Sequence, residues 1–241
     1  GNPVEGLRLR VGGMTTANLS KNLFSRGYVA YGFGDKKLKY KAELEYSFND
    51  KKYHSREFPI HSIKASHSYD VDQIGQHYMF TNADNVFLAL KRQKNDKMTY
   101  LRSSNLQYTL ETQCGFSVSA GFKYNTQEAT KMMPFEDGYG NVFKKYDEAL
   151  FNVTLRYAPG EKFYQTRSNR IPINLDAPVF ALTQEYAPKG FLGSMNTINK
   201  TEFSVQKRFW FSAFGYTDII LKAGKVWSEV NYPDLLIPNA N

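Results

Sequence analysis

The chain has 241 residues, enough for one or two domains, and its 31 Lys and Arg outweigh 23 Asp and Glu to give a net charge of +8. With 41% hydrophobic and 22% charged residues, the composition excludes an intrinsically disordered chain. No apolar run approaches the roughly 20 residues that a membrane-spanning helix requires. Positive charge is spread along the chain, so no nucleic-acid partner is predicted. Aromatic residues make up 15% of the chain, a proportion that matches strand-rich proteins and the aromatic girdles of membrane barrels.

Alternation of apolar and polar side chains predicts a succession of strands along the whole chain. In chain order, the eleven predicted strands are 7–11, 23–33, 38–48, 63–71, 86–90, 101–110, 116–124, 149–157, 179–186, 203–211 and 219–227. The third is the clearest, because Leu38, Tyr40 and every second residue up to Phe48 are apolar while the intervening residues are polar. Helical spacing is not sustained in any long window, so the sequence predicts an all-β fold.

The length of these strands favours a membrane barrel. Ordinary globular strands cluster near 5 to 6 residues, whereas tilted strands that cross a membrane need roughly 9 to 11. The sequence therefore predicts an antiparallel up-and-down transmembrane β-barrel, in the form of a partial barrel of about 10–12 long strands. Aromatic residues near strand ends, such as Tyr46, Phe48 and Trp227, match a girdle, although a soluble sandwich core would also use them.

Connection lengths lead to the same interpretation. Numbered in chain order, strands 2, 6 and 10 are followed by the shortest connections, at 34–36, 112–115 and 212–215. Because outer-membrane barrels alternate short periplasmic turns with longer extracellular loops, the sequence predicts that these three turns share one end of the barrel. The connections around 72–84 and 158–178 also follow even-numbered strands, and both are longer than a periplasmic turn should be.

Several stretches resemble one protein family. Residues 2–13, 27–40, 69–75, 178–182 and 220–239 are similar to the barrel region of a family of largely uncharacterised outer-membrane proteins of Bacteroidota. The resemblance implies a bacterial outer-membrane location, an N-terminal carboxypeptidase-regulatory-like periplasmic domain that is absent from this chain, and a distant similarity to the surface-antigen superfamily of BamA-like assembly factors. That superfamily uses an Arg-Gly-aromatic motif in a late loop. Here the matching tripeptide, at 26–28, lies in an early strand, so the role of the loop is not carried over.

Candidate catalytic and metal-binding residues are few. The four histidines form no HxxxH or HExxH pair, and the single Cys114 cannot build a cysteine zinc site, so no metal or cofactor is predicted. His67, Asp70 and nearby serines suggest an outer-membrane hydrolase as a further hypothesis. No nucleophile elbow or spaced triad accompanies them, and the chain is not predicted to be an enzyme.

Charged residues on the polar sides of the strands carry the functional prediction. As candidates that face a lumen, the sequence gives Arg8, Arg10, Lys39, Lys41, Glu43, Glu45, Lys123 and Arg156. Either they line a wet interior that conducts or docks a polar or polypeptide substrate, or they form ion pairs that fill the barrel. The predicted function is that of an integral outer-membrane β-barrel, in contact with outer-membrane lipid, with a role in transport or envelope assembly and no covalent catalysis.

The alternative is a soluble β-barrel that binds an apolar ligand in its interior. This alternative requires Leu38, Tyr40 and Leu44 to point inward and the charges to point to water. In either case residues 1–241 are expected to form a single barrel region. We expect this region to be part of a larger barrel, because eleven strands is an odd number and single-chain bacterial barrels have even numbers. Strand 7–11 should then pair with a neighbour outside this sequence.

Overall fold

The computed structural model describes residues 4–73, 98–130, 135–136, 142–167, 169–174, 176–194 and 197–228. Its strands are β1 (Arg8–Met14), β2 (Leu23–Gly32), β3 (Lys37–Ser47), β4 (His61–Gln73), β5 (Met98–Glu111), β6 (Phe116–Glu128), β7 (Phe135–Glu136), β8 (Val142–Phe143), β9 (Lys145–Tyr157), β10 (Phe163–Gln165), β11 (Arg170–Pro172), β12 (Val179–Ala187), β13 (Ile198–Trp210) and β14 (Tyr216–Val226). The helical segments of the described residues are two 3₁₀ turns, Phe191–Gly193 and Ser212–Phe214. Within that part of the chain, no helix has the length and apolarity needed to cross a membrane.

Ten long strands form one antiparallel sheet. Their order is β1-β2-β3-β4-β5-β6-β9-β12-β13-β14, so the sheet has an up-and-down topology. The short strands β7 and β8, and likewise β10 and β11, pair as two-stranded ribbons separate from the large sheet. These pairings confirm the predicted all-β antiparallel fold, and ten of the eleven predicted strands coincide with strands of the sheet. The remaining predicted strand, 86–90, lies outside the described residues.

The direct pairing of β4 with β5 corrects the prediction about the turns. No strand lies between these two in the sheet. Successive connections lie at alternate ends of an up-and-down sheet, so with one strand fewer every later connection lies at the opposite end from the one predicted. One end, called end A, carries the connections 15–22, 48–60, 112–115, 158–178 and 211–215. The opposite end, called end B, carries residues 4–7, the connection 33–36 and the described residues of the connections 129–144 and 188–197. The prediction that the three shortest turns share one end is therefore wrong, because it requires a strand of the sheet between β4 and β5.

The large sheet is not closed. Among the described residues β1 pairs with β2 alone and β14 pairs with β13 alone, so the backbone along one side of each is an open edge. Direct pairing of β1 with β14 would have contradicted the expected partial barrel, and this pairing is not observed. An open sheet of ten long strands is what a partial barrel predicts.

The two faces of the sheet have opposite chemistry, and β3 shows it most clearly. Leu38 and Leu44 are 56% and 55% exposed, while Lys39 and Ser47, at alternate positions on the other side, are fully buried. We call the side with Leu44 the outer face and the side with Lys39 the inner face. A soluble sheet buries its apolar side and leaves charges in water, so this sheet is inverted.

Neighbouring strands are displaced along their own axes. One row of directly opposed residues runs through Leu23, Tyr46, Ile63, Tyr108, Ala120, Val153, Gln184, Thr201 and Lys225. Leu23 begins β2 at end A, whereas Lys225 is the second-last residue of β14, at end B. The row thus shifts by about nine residues, or about 30 Å, along the strands while it crosses eight strand spacings, or about 38 Å. If the strand ends define the rim of a barrel, the strands are tilted by about 40° from the barrel axis, within the range of β-barrels.

Candidate functional site

The eight charged residues predicted to face a lumen all lie on the inner face. Arg10 of β1 and Lys39 of β3 both oppose Ala30 of β2, which fixes their common side. A second row of opposed residues, across β3 to β6, consists of Glu43, Ser66, Asn105 and Lys123. Since every second residue of a strand shares a face, the same register places the whole set on this side of the sheet. The set is Arg8, Arg10, Lys39, Lys41, Glu43, Glu45, Lys123 and Arg156.

A buried ion cluster lies on the inner face near end B. This Lys39 cluster comprises Glu5, Arg8, Asp35, Lys39 and Asp70. Lys39 Nζ lies 2.9 Å from Glu5 Oε1 and 2.6 Å from Asp35 Oδ2, and the side chains of Lys39 and Glu5 are both fully buried. An unpaired buried charge costs several kcal/mol, so each charge of the cluster depends on the opposite charges that contact it.

Arg8 connects β1 to β4 within the Lys39 cluster. Its guanidinium donates two hydrogen bonds to the carboxylate of Asp70, at 2.7 and 2.8 Å, in the two-pronged geometry that arginine and carboxylate favour. In a flat sheet β1 and β4 would be separated by three strand spacings, or roughly 14 Å. Direct contact between side chains that far apart requires the sheet to curl toward the inner face.

Tyr28 of β2 fills the space beneath this ion pair. Its hydroxyl donates to Asp70, and the guanidinium of Arg10 lies 3.6 Å above the centre of its ring. Tyr28 opposes Gly12 of β1, where an added Cβ would lie 2.8 Å from the Cβ of the tyrosine. Glycine at position 12 therefore makes room for the tyrosine side chain.

A second ion cluster lies nearer end A, around Arg26 of β2. Arg26 Nε is 2.7 Å from Glu43 Oε1, and its Nη2 is 2.5 Å from Glu45 and 2.9 Å from the hydroxyl of Ser55. Ser62 of β4 donates to the other oxygen of Glu45 at 2.9 Å. Glu43, Glu45 and Ser62 are all buried, so this Arg26 cluster is shielded from bulk water on the inner face.

Ion pairs continue across the second half of the sheet. Lys123 of β6 faces the carboxylates of Glu148 and Glu185, and Lys200 Nζ lies 3.1 Å from Glu185 Oε2. Because these residues belong to β6, β9, β12 and β13, the charged surface extends over four neighbouring strands. The inner face therefore carries ion pairs in both halves of the sheet, beside a small buried apolar cluster of Leu150, Ala187 and Ile198.

Lys41 and Arg156 form the remaining described ion pairs of the predicted set. Lys41 Nζ is 3.5 Å from Glu43, and its side chain is 43% exposed. Arg156 donates to both carboxylate oxygens of Glu161, at 2.7 and 2.8 Å, in the connection between β9 and β12. The sequence predicts either a wet interior that contacts a substrate or a network of ion pairs that fills the barrel. The described residues form ion pairs of the kind that the second arrangement requires.

His67 does not form a hydrolase triad with Asp70. Residues three positions apart in a strand point to opposite faces, and His67 lies on the outer face while Asp70 lies on the inner face. The imidazole instead contacts Ser104 Oγ at 2.8 Å through Nδ1 and Tyr40 Oη at 3.1 Å through Nε2. No carboxylate completes this group among the described contacts. The described residues also contain no group of three or more His, Cys, Asp or Glu side chains placed to hold a metal.

Residues 2–235 match the model of a C-terminal domain from a family of unknown function, DUF5686. The chain belongs to this family. No curated protein and no solved structure matches the chain. Membership of the DUF5686 family specifies neither a location nor an activity.

The sequence did not single out several residues that build the charged surface of this DUF5686 domain. Glu5 and Asp35 lie outside the predicted strands, so no alternation assigned them to a face. Asp70 and Arg26 lie within predicted strands, and their positions relative to Ile63 and Leu23 give the inner face by simple alternation. The signal for these two was therefore present in the sequence, whereas the burial of Glu5 beside Lys39 required the folded turn.

Asp35 makes the stability of the DUF5686 domain depend on pH. Burial favours the neutral acid, but hydrogen bonds from Lys39, Tyr100 and the backbone of Lys37 outweigh it and hold the pKa of Asp35 below its ordinary 3.8. A carboxyl with a lowered folded-state pKa stabilises above the unfolded pKa, and this contribution is lost as pH falls through the folded pKa. Below about pH 4, the free energy of unfolding should fall more steeply in the wild type than in Asp35→Asn, as measured by urea titration at a series of pH values. Parallel profiles would contradict this assignment.

Proposed function

We propose that this chain is an integral outer-membrane β-barrel region with a role in transport or envelope assembly and without covalent catalysis. The inverted burial of the ten-stranded sheet carries the proposal. Lys39 and Glu5 are fully buried, whereas Leu44 and Leu221 are 55% and 64% exposed. Such a sheet is unfavourable in water but suits lipid, which solvates the apolar outer face and leaves the charges on the protected inner face.

The outer face is arranged in bands that match a bilayer. Near end A its exposed aromatic residues are Tyr46, Phe48, Phe116, Tyr157, Phe180 and Phe209. Near end B they are Tyr31, Phe33, Tyr186 and Trp227. Between these two groups the exposed residues include the aliphatic side chains Val29, Leu44, Leu106, Val153, Leu182 and Leu221, together with two aromatic ones, Phe151 and Phe203. A centre that is mainly aliphatic, with most of the exposed aromatic residues at the two margins, is the pattern of a membrane barrel with two girdles.

The geometry of the strands supports the same proposal. Ten of the strands pair in sequence order without a crossover, and they are tilted by about 40°, as closed barrels require. The stretches similar to Bacteroidota outer-membrane proteins, and their distant likeness to BamA-like barrels, favour the outer membrane as the location. The inner face, with its paired charges, is suited to contact a polar or polypeptide substrate.

The soluble barrel with an apolar interior has the opposite orientation. It needs Leu38 and Leu44 to point into an enclosed core, yet both are more than half exposed. It also needs Lys39, Glu43 and Glu45 in water, and these three side chains are buried. The orientation of β3 therefore favours the membrane proposal over this alternative.

The open edges of β1 and β14 further indicate that the ten strands are part of a larger barrel. An unpaired backbone N–H or C=O in lipid costs several kcal/mol, so neither edge is stable inside a membrane by itself. We propose that strands outside residues 1–241 pair with these edges. A structure of the whole protein should show the outer side of β1 hydrogen-bonded to such a strand, and direct closure of β1 on β14 would contradict the proposal.

Solubility and heat modifiability test the membrane proposal as a whole. The folded protein should require detergent, and its band on a denaturing gel should shift when the sample is boiled, because a compact barrel resists detergent until heated. An alkaline carbonate wash should leave the protein in the membrane fraction of cells that express it. A monodisperse preparation in detergent-free buffer would instead favour the soluble barrel.

A further inference from the structure

The connection between β9 and β12 is far longer than the joining of two adjacent strands requires. These two strands are direct antiparallel neighbours, and such neighbours are usually joined by about 2 to 5 residues. Here the connection spans residues 158–178 and contains the separate ribbon of β10 and β11. We call the described part of this connection, residues 158–167, 169–174 and 176–178, the strap.

The tip of the strap crosses end A to reach the other half of the sheet. Arg170 donates to both carboxylate oxygens of Glu111, at 2.7 and 3.0 Å, at the end of β5. The amide nitrogen of Gln165 lies 2.8 Å from His54 Nε2, and the ring of Phe163 packs at 5.5 Å against Phe58. His54 and Phe58 belong to the connection between β3 and β4. The strap therefore passes over the ends of β6 and β5 instead of turning directly into β12.

The contacts of the strap lie on the inner side of the sheet. At its base, Glu161 pairs with Arg156, which points to the inner face. At its tip, Glu111 opposes Ser117 and therefore also lies on the inner face. The connection 48–60, which receives the tip, is in turn held by the hydrogen bond from Arg26 to Ser55. The strap and this connection thus cover the charged inner face where it opens at end A.

One carboxylate holds the tip of the strap, and a glycine lies at its base. Glu111 accepts hydrogen bonds from Arg170 and also from the backbone N–H of Ile60, so one carboxylate holds the strap and the connection 48–60 together. At the base, Gly160 has a φ of 76°, and an added Cβ there would meet no atom within 4 Å. The Gly160 carbonyl accepts from Asn174 in the other leg of the strap, so the two legs move together. Glycine changes its backbone angles at low cost, which makes residue 160 the pivot, while the pair of Glu161 with Arg156 keeps the base in place.

We propose that the strap is a lid over the end A mouth of the inner face and that the Arg170–Glu111 ion pair is its latch. This inference rests on the proposed barrel function, in which the inner face contacts a polar substrate. Release of the latch swings the tip away from His54 and Phe58 and opens the inner face at end A. Closure restores the ion pair and the contact between the two phenylalanine rings.

Thiol labelling measures how often the lid opens. The reporter is His54→Cys, placed beneath the tip, in a chain that also carries Cys114→Ser because native Cys114 is exposed. The labelling rate with a bulky maleimide should rise about tenfold in Arg170→Gln and to a similar extent in Glu111→Gln, whose amide oxygen still accepts from Ile60. The matched control is Arg167→Gln, which removes an exposed charge from the same strap and should leave the rate unchanged.

The double variant Arg170→Gln with Glu111→Gln shows whether the two residues act through each other. If they form one latch, the double variant labels no faster than either single variant, because the second change has nothing left to break. Multiplied effects, an unchanged rate in Arg170→Gln, or an equal rise in Arg167→Gln would each overturn the proposal. Circular dichroism checks that each variant retains its sheet, and Arg170→Lys, which keeps the charge and loses the two-pronged geometry, replaces Arg170→Gln if that variant does not fold.

The outcome separates the lid from the membrane proposal. Labelling is measured on the folded protein in whichever medium keeps it folded, detergent or buffer. If the chain needs no detergent but shows the latch pattern, the result supports the lid and contradicts the membrane barrel. If the chain is a heat-modifiable membrane protein without the latch pattern, the result supports the membrane barrel and contradicts the lid.

Discussion

Leu44→Arg is expected to prevent stable membrane insertion. Leu44 lies on the outer face of β3, is 55% exposed, and is placed between the two aromatic bands. A lipid-facing arginine near the midplane of a bilayer costs about 2 to 4 kcal/mol in a β-barrel, a large part of the stability of most proteins. The measurement is the fraction of protein that refolds into lipid vesicles and shows the heat-dependent gel shift.

The matched control for this experiment is Ser66→Arg on the neighbouring strand. Ser66 opposes Glu43 on the inner face, so the same side chain is introduced close to Leu44 but beside a carboxylate. This variant should insert with nearly the wild-type yield, and so should Glu43→Ala, which changes the inner face alone. Equal yields of Leu44→Arg and Ser66→Arg would reverse the assignment of the two faces.

Lys39→Met is expected to lower the free energy of unfolding by about 3 to 5 kcal/mol, the usual cost of removing one partner from a buried ion pair. The methionine fills a similar volume but leaves the carboxylates of Glu5 and Asp35 without their shared cation. Urea unfolding followed by tryptophan fluorescence measures the loss.

Lys41→Met provides the comparison for this loss. Lys41 is on the same face of the same strand, but its side chain is 43% exposed and its contact with Glu43 is 3.5 Å long. Its removal should therefore cost about 1 kcal/mol or less. Adding Asp35→Asn to Lys39→Met should recover part of the loss, because it removes one of the two carboxylates that have lost their partner. Equal losses in the two methionine variants would show that the burial of Lys39 does not matter to stability.

Strand positions and faces were predictable because alternation is a local property of the sequence. Each residue of β3 lies on the face that its polarity predicts, and the eight predicted charged residues share the inner face for the same reason. The separation of His67 from Asp70 was also readable, since three positions along a strand always reverse the face. Local patterns of this kind do not depend on where a strand lies in the sheet.

The arrangement of strands and loops was harder to predict because it depends on non-local contacts. Counting segment 86–90 as a strand shifted the assignment of every later turn, since up-and-down topology depends on the number of strands. The contact between Arg8 and Asp70 requires a curled sheet, which no pattern within β1 or β4 specifies. The strap has no periodic pattern, and its role emerges only when Arg170 is found beside Glu111.

The stagger of the strands relates the width of the proposed barrel to its number of strands. With strands about 4.8 Å apart and tilted by about 40°, each strand occupies about 6 Å of circumference. Ten strands alone would enclose a cylinder roughly 20 Å in diameter, and each added pair would widen it by about 4 Å. In the narrowest cylinder, long side chains such as Arg8 and Lys123 reach toward the axis from all sides and exclude water. With more strands the same ion pairs lie farther from the axis, and the proposed barrel would enclose an aqueous channel whose conductance reports its number of strands.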